Sequence, residues 1–249
     1  MIKIVNVSKH FGSHKVMNGL SLEIPDKKTV VIIGRSGCGK SVLLKHMIGL
    51  LKPDSGKILV KDRDIAKMDT VELDDIRKHF GMLFQSAALF DSLTVAENVG
   101  FALTRFTRKR PSEIKKLVKE KLALVGLENV EDKKPAELSG GMKKRVGLAR
   151  AIAMDPEIML YDEPTTGLDP IMSDVINELI VELQKKLKMT SVVVTHDMKS
   201  AYLVGDKIAM MYEGRIIHEG TPSEIKKTKD ETVKQFINGS AKGPIQMLG

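Results

Sequence analysis

Short apolar runs along this chain alternate with longer stretches in which apolar residues return at helical spacing. The clearest run, residues 30–33, is β-branched and stands just before a glycine-rich segment, so it predicts a buried parallel strand. Beyond that segment, apolar residues recur at helical spacing from Val42 to Leu50, and Pro53 ends the pattern. A strand followed directly by a helix is typical of an α/β fold.

The same two patterns predict most of the remaining elements. Residues 1–33 predict short strands joined by turns, with Phe11 in a loop. Further strands are predicted at residues 57–60, 82–84, 158–163 and 191–195, and a hairpin at residues 208–218. Helices are predicted from an Asp69 cap to about residue 79, from residue 92, at 114–125, after residue 142 and at 175–183.

The glycine-rich segment follows the phosphate-binding pattern Gly-x-x-x-x-Gly-Lys-Ser. Its residues are Gly34, Arg35, Ser36, Gly37, Cys38, Gly39, Lys40 and Ser41. In such a loop the backbone N–H groups and the helix N-terminus attract a polyphosphate. Lys40 is expected to reach the β- and γ-phosphates, and Ser41 to hold Mg²⁺. The alternative is a turn that binds nothing, which the spacing and the flanking strand and helix disfavour.

Two adjacent carboxylates form a second candidate site. Asp162 and Glu163 end the apolar run that begins at Ile158. Beside a phosphate-binding loop, Asp162 is expected to help hold Mg²⁺. Glu163 is expected to position or deprotonate an attacking water. The alternative, two acids at an ordinary strand-to-loop junction, is common elsewhere but does not account for the matched loop.

Several weaker candidates stand alone, each with an ordinary structural interpretation. Phe11 is either a buried aromatic or a ring that stacks on adenine. Gln85 and His196 each follow a predicted strand, where ligands bind in open α/β sheets, but single polar residues there are often only solvated. Ser139, Gly140 and Gly141 precede a predicted helix, so they form either a second anion site or a plain helix cap.

Composition narrows the class of protein. The chain has 249 residues, 42% of them hydrophobic and 29% charged, as expected of a globular protein. It has no apolar run long enough to span a bilayer, no signal-peptide pattern at its start, and one cysteine, Cys38. These features predict a cytosolic protein without disulfides or a cysteine-based zinc site.

The net charge of +8 comes from 40 basic and 32 acidic residues. The basic residues are scattered, with small clusters at residues 108–110, 143–145 and 226–227. We interpret most of them as solvated surface, with acidic lipid head groups as the second interpretation. Nucleic acid is not an expected partner, since only 4% of residues are aromatic and none is tryptophan.

Together these motifs resemble the ATPase subunit of ABC transporters over nearly the full chain. The matching features are the loop at 34–41, Gln85, the LSGGM signature at 138–142, the acidic strand at 158–163, Asp169 and His196. The resemblance implies an α/β fold, a RecA-like P-loop NTPase core with an antiparallel β subdomain and an inserted α-helical subdomain. It assigns residues 1–85 and 151–226 to the core, 86–150 to the helical subdomain and 227–249 to a C-terminal tail.

The resemblance also implies a homodimer with two ATP molecules held between head-to-tail copies. Each ATP would meet the loop and Val42 of one copy and Ser139, Gly140 and Gly141 of the other. Further roles implied are adenine stacking by Phe11, γ-phosphate contacts by Lys40 and His196, Mg²⁺ contacts by Ser41, Gln85 and Asp162, and action on water by Glu163. Asp169 would lie across the dimer seam, and the helical subdomain would contact a membrane partner.

A narrower resemblance is to the Mla phospholipid-transport ATPases. It is carried by residues 84–94, 141–145 and 235–239 with Gly243-Pro244, whereas small-solute importers more often have Gln at Met142 and Pro at Asp91. It implies phospholipid transport between inner and outer membranes from the cytoplasmic face of the inner membrane. The implied partners are a permease dimer (MlaE-like) and an MCE-domain lipid-binding protein (MlaD-like), with the tail embracing the paired ATPase.

Two alternatives stay open at this point. The first is the ATPase of a small-solute importer, which shares all the nucleotide motifs. The second is a non-transport ABC protein that acts on DNA or the ribosome. Proteins of that second kind usually carry coiled-coil insertions, zinc cysteines or two cassettes, and none of these is visible in the sequence.

Overall fold

The computed structural model describes residues 1–246. The strands are β1 Ile2–Phe11, β2 His14–Ile24, β3 Thr29–Ile33, β4 Ser55–Val60, β5 Arg63–Asp64, β6 Phe80–Leu83, β7 Ile158–Asp162, β8 Thr190–Thr195, β9 Lys207–Tyr212 and β10 Arg215–Gly220. The helices are α1 Lys40–Met47, α2 Thr70–Arg77, α3 Val95–Phe106, α4 Pro111–Leu124, α5 Gly140–Ala151, α6 Pro170–Leu187, α7 Met198–Val204, α8 Pro222–Lys226 and α9 Glu231–Ile237. The chain divides into two compact units, residues 1–69 with the chain from Val192 onward, and residues 70–191.

The first unit contains an antiparallel sheet with the strand order β2-β1-β4-β5. Strand β1 pairs with β2 on one side and with β4 on the other, so that Ile4 stands opposite both Leu22 and Ile58. All three side chains are buried, whereas Lys3 and Val5, the neighbours of Ile4 on β1, are half-buried and exposed. This alternation is what places one face of an antiparallel sheet against a core.

The same unit carries strands in the order β10-β9-β3-β8. Strand β3 runs parallel to β9, and β9 forms an antiparallel hairpin with β10. Every residue of β3 and β8 is buried. Strands covered on both faces need apolar side chains at successive positions, which explains why these two were recognisable as continuous β-branched runs.

The second unit combines the parallel pair β6–β7 with helices α2 to α6. Helix α3 begins with a capping box, in which Thr94 Oγ1 accepts from the Glu97 amide and Glu97 accepts from the Thr94 amide. Fully buried Asn98 donates to the carbonyls of Phe90, Leu93 and Thr94. The capping box satisfies amides that a helix N-terminus otherwise leaves open, and Asn98 ties the preceding turn to the first residues of α3.

The structure agrees with the predicted strands and helices in type and corrects several of their boundaries. The helix after the glycine loop ends at Met47 instead of Leu50, and the helix predicted to reach residue 79 ends at Arg77. Phe11 is the last residue of β1 instead of part of a loop. The subdomain limits predicted at residues 85, 150 and 226 stay predictions, and residues 247–249 of the predicted tail lie outside the described residues.

Across residues 1–246, none of the helices is both long enough and apolar enough to cross a lipid bilayer.

Candidate functional site

The phosphate-binding loop joins β3 to α1 in the first unit. Gly39 stands immediately before α1 with φ +104°, a conformation that side chains rarely adopt. A Cβ atom at Gly39 would lie 2.7 Å from Val16 Cγ1 and 3.0 Å from Met211 Cε. Residue 39 is therefore glycine for two reasons, the backbone angle and the close packing beneath the loop.

Lys40 is enclosed by this loop. Its side chain is 5% exposed, and Nζ donates to the carbonyl oxygens of Gly34 at 2.8 Å and Arg35 at 3.0 Å. Ser36 and Gly37 at the tip of the loop are exposed, whereas Ser41 and Val42 on the first turn of α1 are half-buried. The tip of the loop is therefore accessible, and the loop's own carbonyls orient the ammonium of Lys40 beside it.

A cleft of about 330 Å³ adjoins the loop within the first unit. Its lining residues are His14, Lys15, Val16, Asn18, Arg35, Ser36, Gly37, Cys38, Tyr212, Glu213 and Gly214. The thiol of Cys38 is half-buried. The residues from β2 and from the β9–β10 turn were not predicted, because they are far from the motif in sequence and carry no pattern of their own.

Phe11 and His196 also belong to the first unit, and both are exposed. Phe11 is 46% exposed, with the ammonium of Lys9 5.7 Å from its ring centre. The interpretation of Phe11 as a buried aromatic is therefore wrong. His196 follows β8, and Asp197 then caps α7 by accepting from the amides of Lys199 and Ser200.

The acidic pair lies in the second unit at the end of β7. All five residues of β7 are buried, and the carboxylates of Asp162 and Glu163 are each largely covered. Glu163 has φ +48°, which is uncommon for a residue with a long side chain. Thr166 holds it from two directions: its amide donates to the Glu163 carbonyl, and its hydroxyl donates to the Glu163 carboxylate, both at 3.2 Å.

The signature residues lie at the start of α5 in the same unit. Ser139 caps this helix by accepting from the Met142 amide at 3.3 Å. Ser139 and Gly140 are exposed, and a Cβ atom at Gly140 would meet nothing closer than 3.7 Å. Asp169 caps α6 in a similar way, accepting from the amides of Ile171 and Met172.

Gln85 is exposed two residues after the end of β6, and residues of α5 hold its backbone. Lys144 Nζ donates to the Gln85 carbonyl, and Arg150 donates to the carbonyls of Ala87 and Ala88, each at 2.7 Å. Lys144 belongs to the cluster 143–145 that we interpreted as solvated surface, and for Lys144 this was wrong. It is buried because it shares a helical face with Gly141 and Leu148, a spacing that was visible in the sequence.

A buried lysine inside a glycine loop between a parallel strand and a helix, with a second strand that ends in two covered carboxylates, defines a P-loop nucleotide-binding protein. The profile of the ABC transporter family matches residues 17–166. The chain therefore belongs to the ABC transporter family, and it is the ATPase cassette of such a transporter.

Individual relatives agree with this assignment. The probable ribonucleotide transport ATP-binding protein Mkl of Mycobacterium leprae is 44% identical over 99% of this chain and 71% of its own length. The intermembrane phospholipid transport system ATP-binding protein MlaF of Haemophilus influenzae is 39% identical over 99% of this chain and 93% of its own. An importer subunit also matches: the sulfate/thiosulfate import protein CysA of Vibrio vulnificus is 40% identical over 96% of this chain and 69% of its own.

Solved structures of an ABC transporter cassette share this fold. The dimeric structure of the bacterial ABC transporter cassette MJ0796 superposes with a TM-score of 0.83 at 34% identity, covering 89% of this chain and 99% of that one. A post-hydrolysis dimer of the same cassette, bound to ADP and Pi, superposes with a TM-score of 0.82.

Proposed function

We propose that this chain is the ATP-hydrolysing subunit of a transporter that moves phospholipid between inner and outer membranes. The main support for ATP binding is the enclosed Lys40, whose ammonium is oriented by two carbonyls of an otherwise open glycine loop. A phosphate chain laid against this loop meets backbone N–H groups, the N-terminal end of α1 and one fixed ammonium. The known dimeric and post-hydrolysis forms of MJ0796 support the same chemistry here.

Each candidate residue receives one role in this proposal. Lys40 and His196 contact the γ-phosphate, Phe11 stacks on adenine, and Gly34 to Val42 surround the phosphates. Glu163 orients the attacking water and accepts its proton, while its carboxylate is held by Thr166. Catalysis then consists mainly of positioning and of stabilising charge on the transferred phosphoryl group.

The proposed magnesium ligands suit that ion. Ser41, Gln85 and Asp162 would supply a hydroxyl, an amide carbonyl and a carboxylate, and hard oxygen donors are what Mg²⁺ prefers. Asp162 ends the buried strand β7, so its carboxylate is one such donor held at a fixed position. When bound, the ion neutralises charge on the β- and γ-phosphates.

We further propose that two copies close head-to-tail around two ATP molecules. Ser139 and Gly140 support this, since both are exposed at the N-terminus of a twelve-residue helix, where a phosphate from another copy would be favoured. Hydrolysis then cleaves the γ-phosphate that lies between the two copies, and its release as phosphate lets the copies separate. An integral membrane permease would convert that motion into transport, with the ATPase peripheral on the cytoplasmic face of the inner membrane.

Phospholipid is the proposed substrate because the MlaF match extends over nearly all of both chains. The segments 84–94 and 141–145, which resemble the same group, add support. On this proposal the partners are an MlaE-like permease dimer and an MlaD-like MCE-domain lipid-binding protein. The alternative, a small-solute importer, is supported by the CysA match and shares the nucleotide chemistry.

The ATPase part is tested with Glu163→Gln in the full-length chain. Removing the carboxylate that accepts the proton should lower ATP turnover by about 100-fold or more while ATP binding remains. The matched control is Glu182→Gln, which changes an exposed glutamate on α6. Turnover in Glu163→Gln close to that of the control would remove Glu163 from this role.

The lipid part is tested by affinity purification in mild detergent, followed by protein and lipid mass spectrometry. A multispanning permease, an MCE-domain protein and bound glycerophospholipid are the expected companions. A soluble solute-binding protein in their place would reject phospholipid and support the importer, while leaving the ATPase assignment intact.

A further inference from the structure

Helix α5 carries a buried cation beneath the signature residues. Lys144 is 5% exposed, and its Nζ donates to the carbonyl of Gln85 and, at 3.4 Å, to the carbonyl of Glu163. Burial lowers the pKa of Lys144, and the negative charges of Asp162 and Glu163 oppose that shift. One ammonium therefore joins three pieces of the second unit: the signature helix, the turn after β6 and the end of β7.

The segments that Lys144 joins have backbone conformations that need support. Glu163 has φ +48°, and Ala87 and Ala88 in the turn after β6 have φ +60° and +48°. Residues other than glycine hold such angles only where the surroundings impose them. Arg150 fixes the alanine carbonyls and Thr166 fixes part of Glu163, but Lys144 is bonded to both segments.

We infer that Lys144 is a positioning residue for ATP hydrolysis. It ties the Glu163 backbone and the Gln85 turn to α5, so that the Glu163 carboxylate keeps its direction toward the attacking water. Lysine suits this place because its ammonium has three donors at the end of a long stem. The inference rests on the proposed function, in which Glu163 acts on that water.

The test compares two lysines of equal burial in the full-length protein. Lys144→Met keeps the length of the side chain but removes its donors. Lys121→Met does the same to a lysine that is also 5% exposed in the same unit and is paired with Asp155, which precedes β7, whereas Asp162 ends that strand. Melting temperature, kcat and KM for ATP are measured for both.

Lys144→Met should lower kcat by about tenfold or more with KM for ATP within about twofold, since it loses two hydrogen bonds from a charged donor. Lys121→Met should lower the melting temperature comparably and leave kcat near wild type. Lys144→Gln, which keeps one amide donor, should have a kcat between those of wild type and Lys144→Met. If Lys144→Met does not fold, Lys144→Gln is compared with Lys121→Met by the same criteria.

A kcat of the Lys144 variant equal to that of Lys121→Met would overturn the inference, as would a loss confined to KM. Glu163→Gln is assayed in parallel to separate the two proposals. Normal turnover in Glu163→Gln defeats the proposed role of Glu163 itself. An inactive Glu163→Gln beside a fully active Lys144→Met defeats only the role of Lys144.

Discussion

The C-terminal segment described up to residue 246 folds back onto α9, where the side chain of Gln235 bonds its backbone. Gln235 is 8% exposed; its Nε2 donates to the Ile245 carbonyl at 3.1 Å, and its Oε1 accepts from the Ile245 amide at 2.6 Å. Next to this pair, Arg35 of the phosphate-binding loop donates to the Gln246 carbonyl at 2.7 Å. Gln235→Ala removes both bonds of the pair and leaves the helix itself able to form.

The free energy lost in Gln235→Ala follows from its two hydrogen bonds to Ile245. A net contribution of about 0.5–1.5 kcal/mol for each gives about 1–3 kcal/mol for the pair. The segment can respond by detaching, which returns the Ile245 backbone to water, so the loss should appear as local opening instead of global unfolding. An energy of about 1–3 kcal/mol corresponds to a roughly 5- to 150-fold increase in the detached population.

Amide hydrogen exchange measures that population directly. In Gln235→Ala, exchange at Ile245 should accelerate by a factor in that range, while exchange in β3 stays unchanged. Gly243→Ala should act in the same direction, because a Cβ atom at Gly243 would lie 2.4 Å from Gln235 Oε1 and the residue has φ +152°. Lys234→Ala is the control, since it alters an exposed residue of α9.

Two outcomes would refute this reasoning. Unchanged exchange at Ile245 in Gln235→Ala would show that other contacts hold the segment. Acceleration of equal size in Lys234→Ala would show that the effect comes from α9 in general instead of from the paired amide.

Three further predictions concern the first unit. Gly39→Ala should weaken ATP binding at least about tenfold in equilibrium titration, since left-handed strain alone costs about 1–3 kcal/mol and Val16 stands 2.7 Å from the new Cβ. Gly37→Ala has open space around its Cβ at φ +77° and should lose less affinity. Equal losses in the two variants would contradict the role given to packing against Val16. Lys40→Ala should also lose ATP affinity in that titration, and unchanged affinity would remove Lys40 from the phosphate site. Hydrogen bonds from Lys9 and His10 lower the pKa of Asp54 from 3.8 to about 2, so the stability that Asp54 contributes is present above pH 3.8 and is lost as the pH falls toward 2. The stability gap between wild type and Asp54→Asn in denaturant titrations should therefore close over that interval, and a gap independent of pH would contradict it.

The sequence was sufficient for elements whose pattern is local. The β-branched run before the glycine loop predicted β3, and the apolar stripe after it predicted α1. A strand buried on both faces has a continuous apolar run, whereas a helix buried on one face has apolar residues every three or four positions. The turn at residues 213–214 between two apolar runs predicted the β9–β10 hairpin in the same way.

The sequence was insufficient where a role depends on residues that are distant along the chain. Helices α8 and α9 have only five and seven residues, too short for a clear stripe among their polar neighbours. Gln235 gives no signal until Ile245 is known to lie beside it. Lys144 shares a helical spacing with Gly141 and Leu148, but the sequence does not show that the carbonyls of Gln85 and Glu163 lie beside it.

In the proposed dimer, ATP joins two copies through the exposed Ser139 and Gly140 at the start of α5. Gly140→Ala tests this interface: Gly140 is the first residue of α5, and an added Cβ would make only an ordinary contact with Leu168 at 3.7 Å, so the fold of each copy should stay intact. The measurement is molar mass by light scattering with ATP, in chains that carry Glu163→Gln to prevent turnover. Light scattering should give a dimer for Glu163→Gln and a monomer for the Glu163→Gln, Gly140→Ala double variant, with equal melting temperatures in the absence of nucleotide. Equal dimerisation of the two would contradict it.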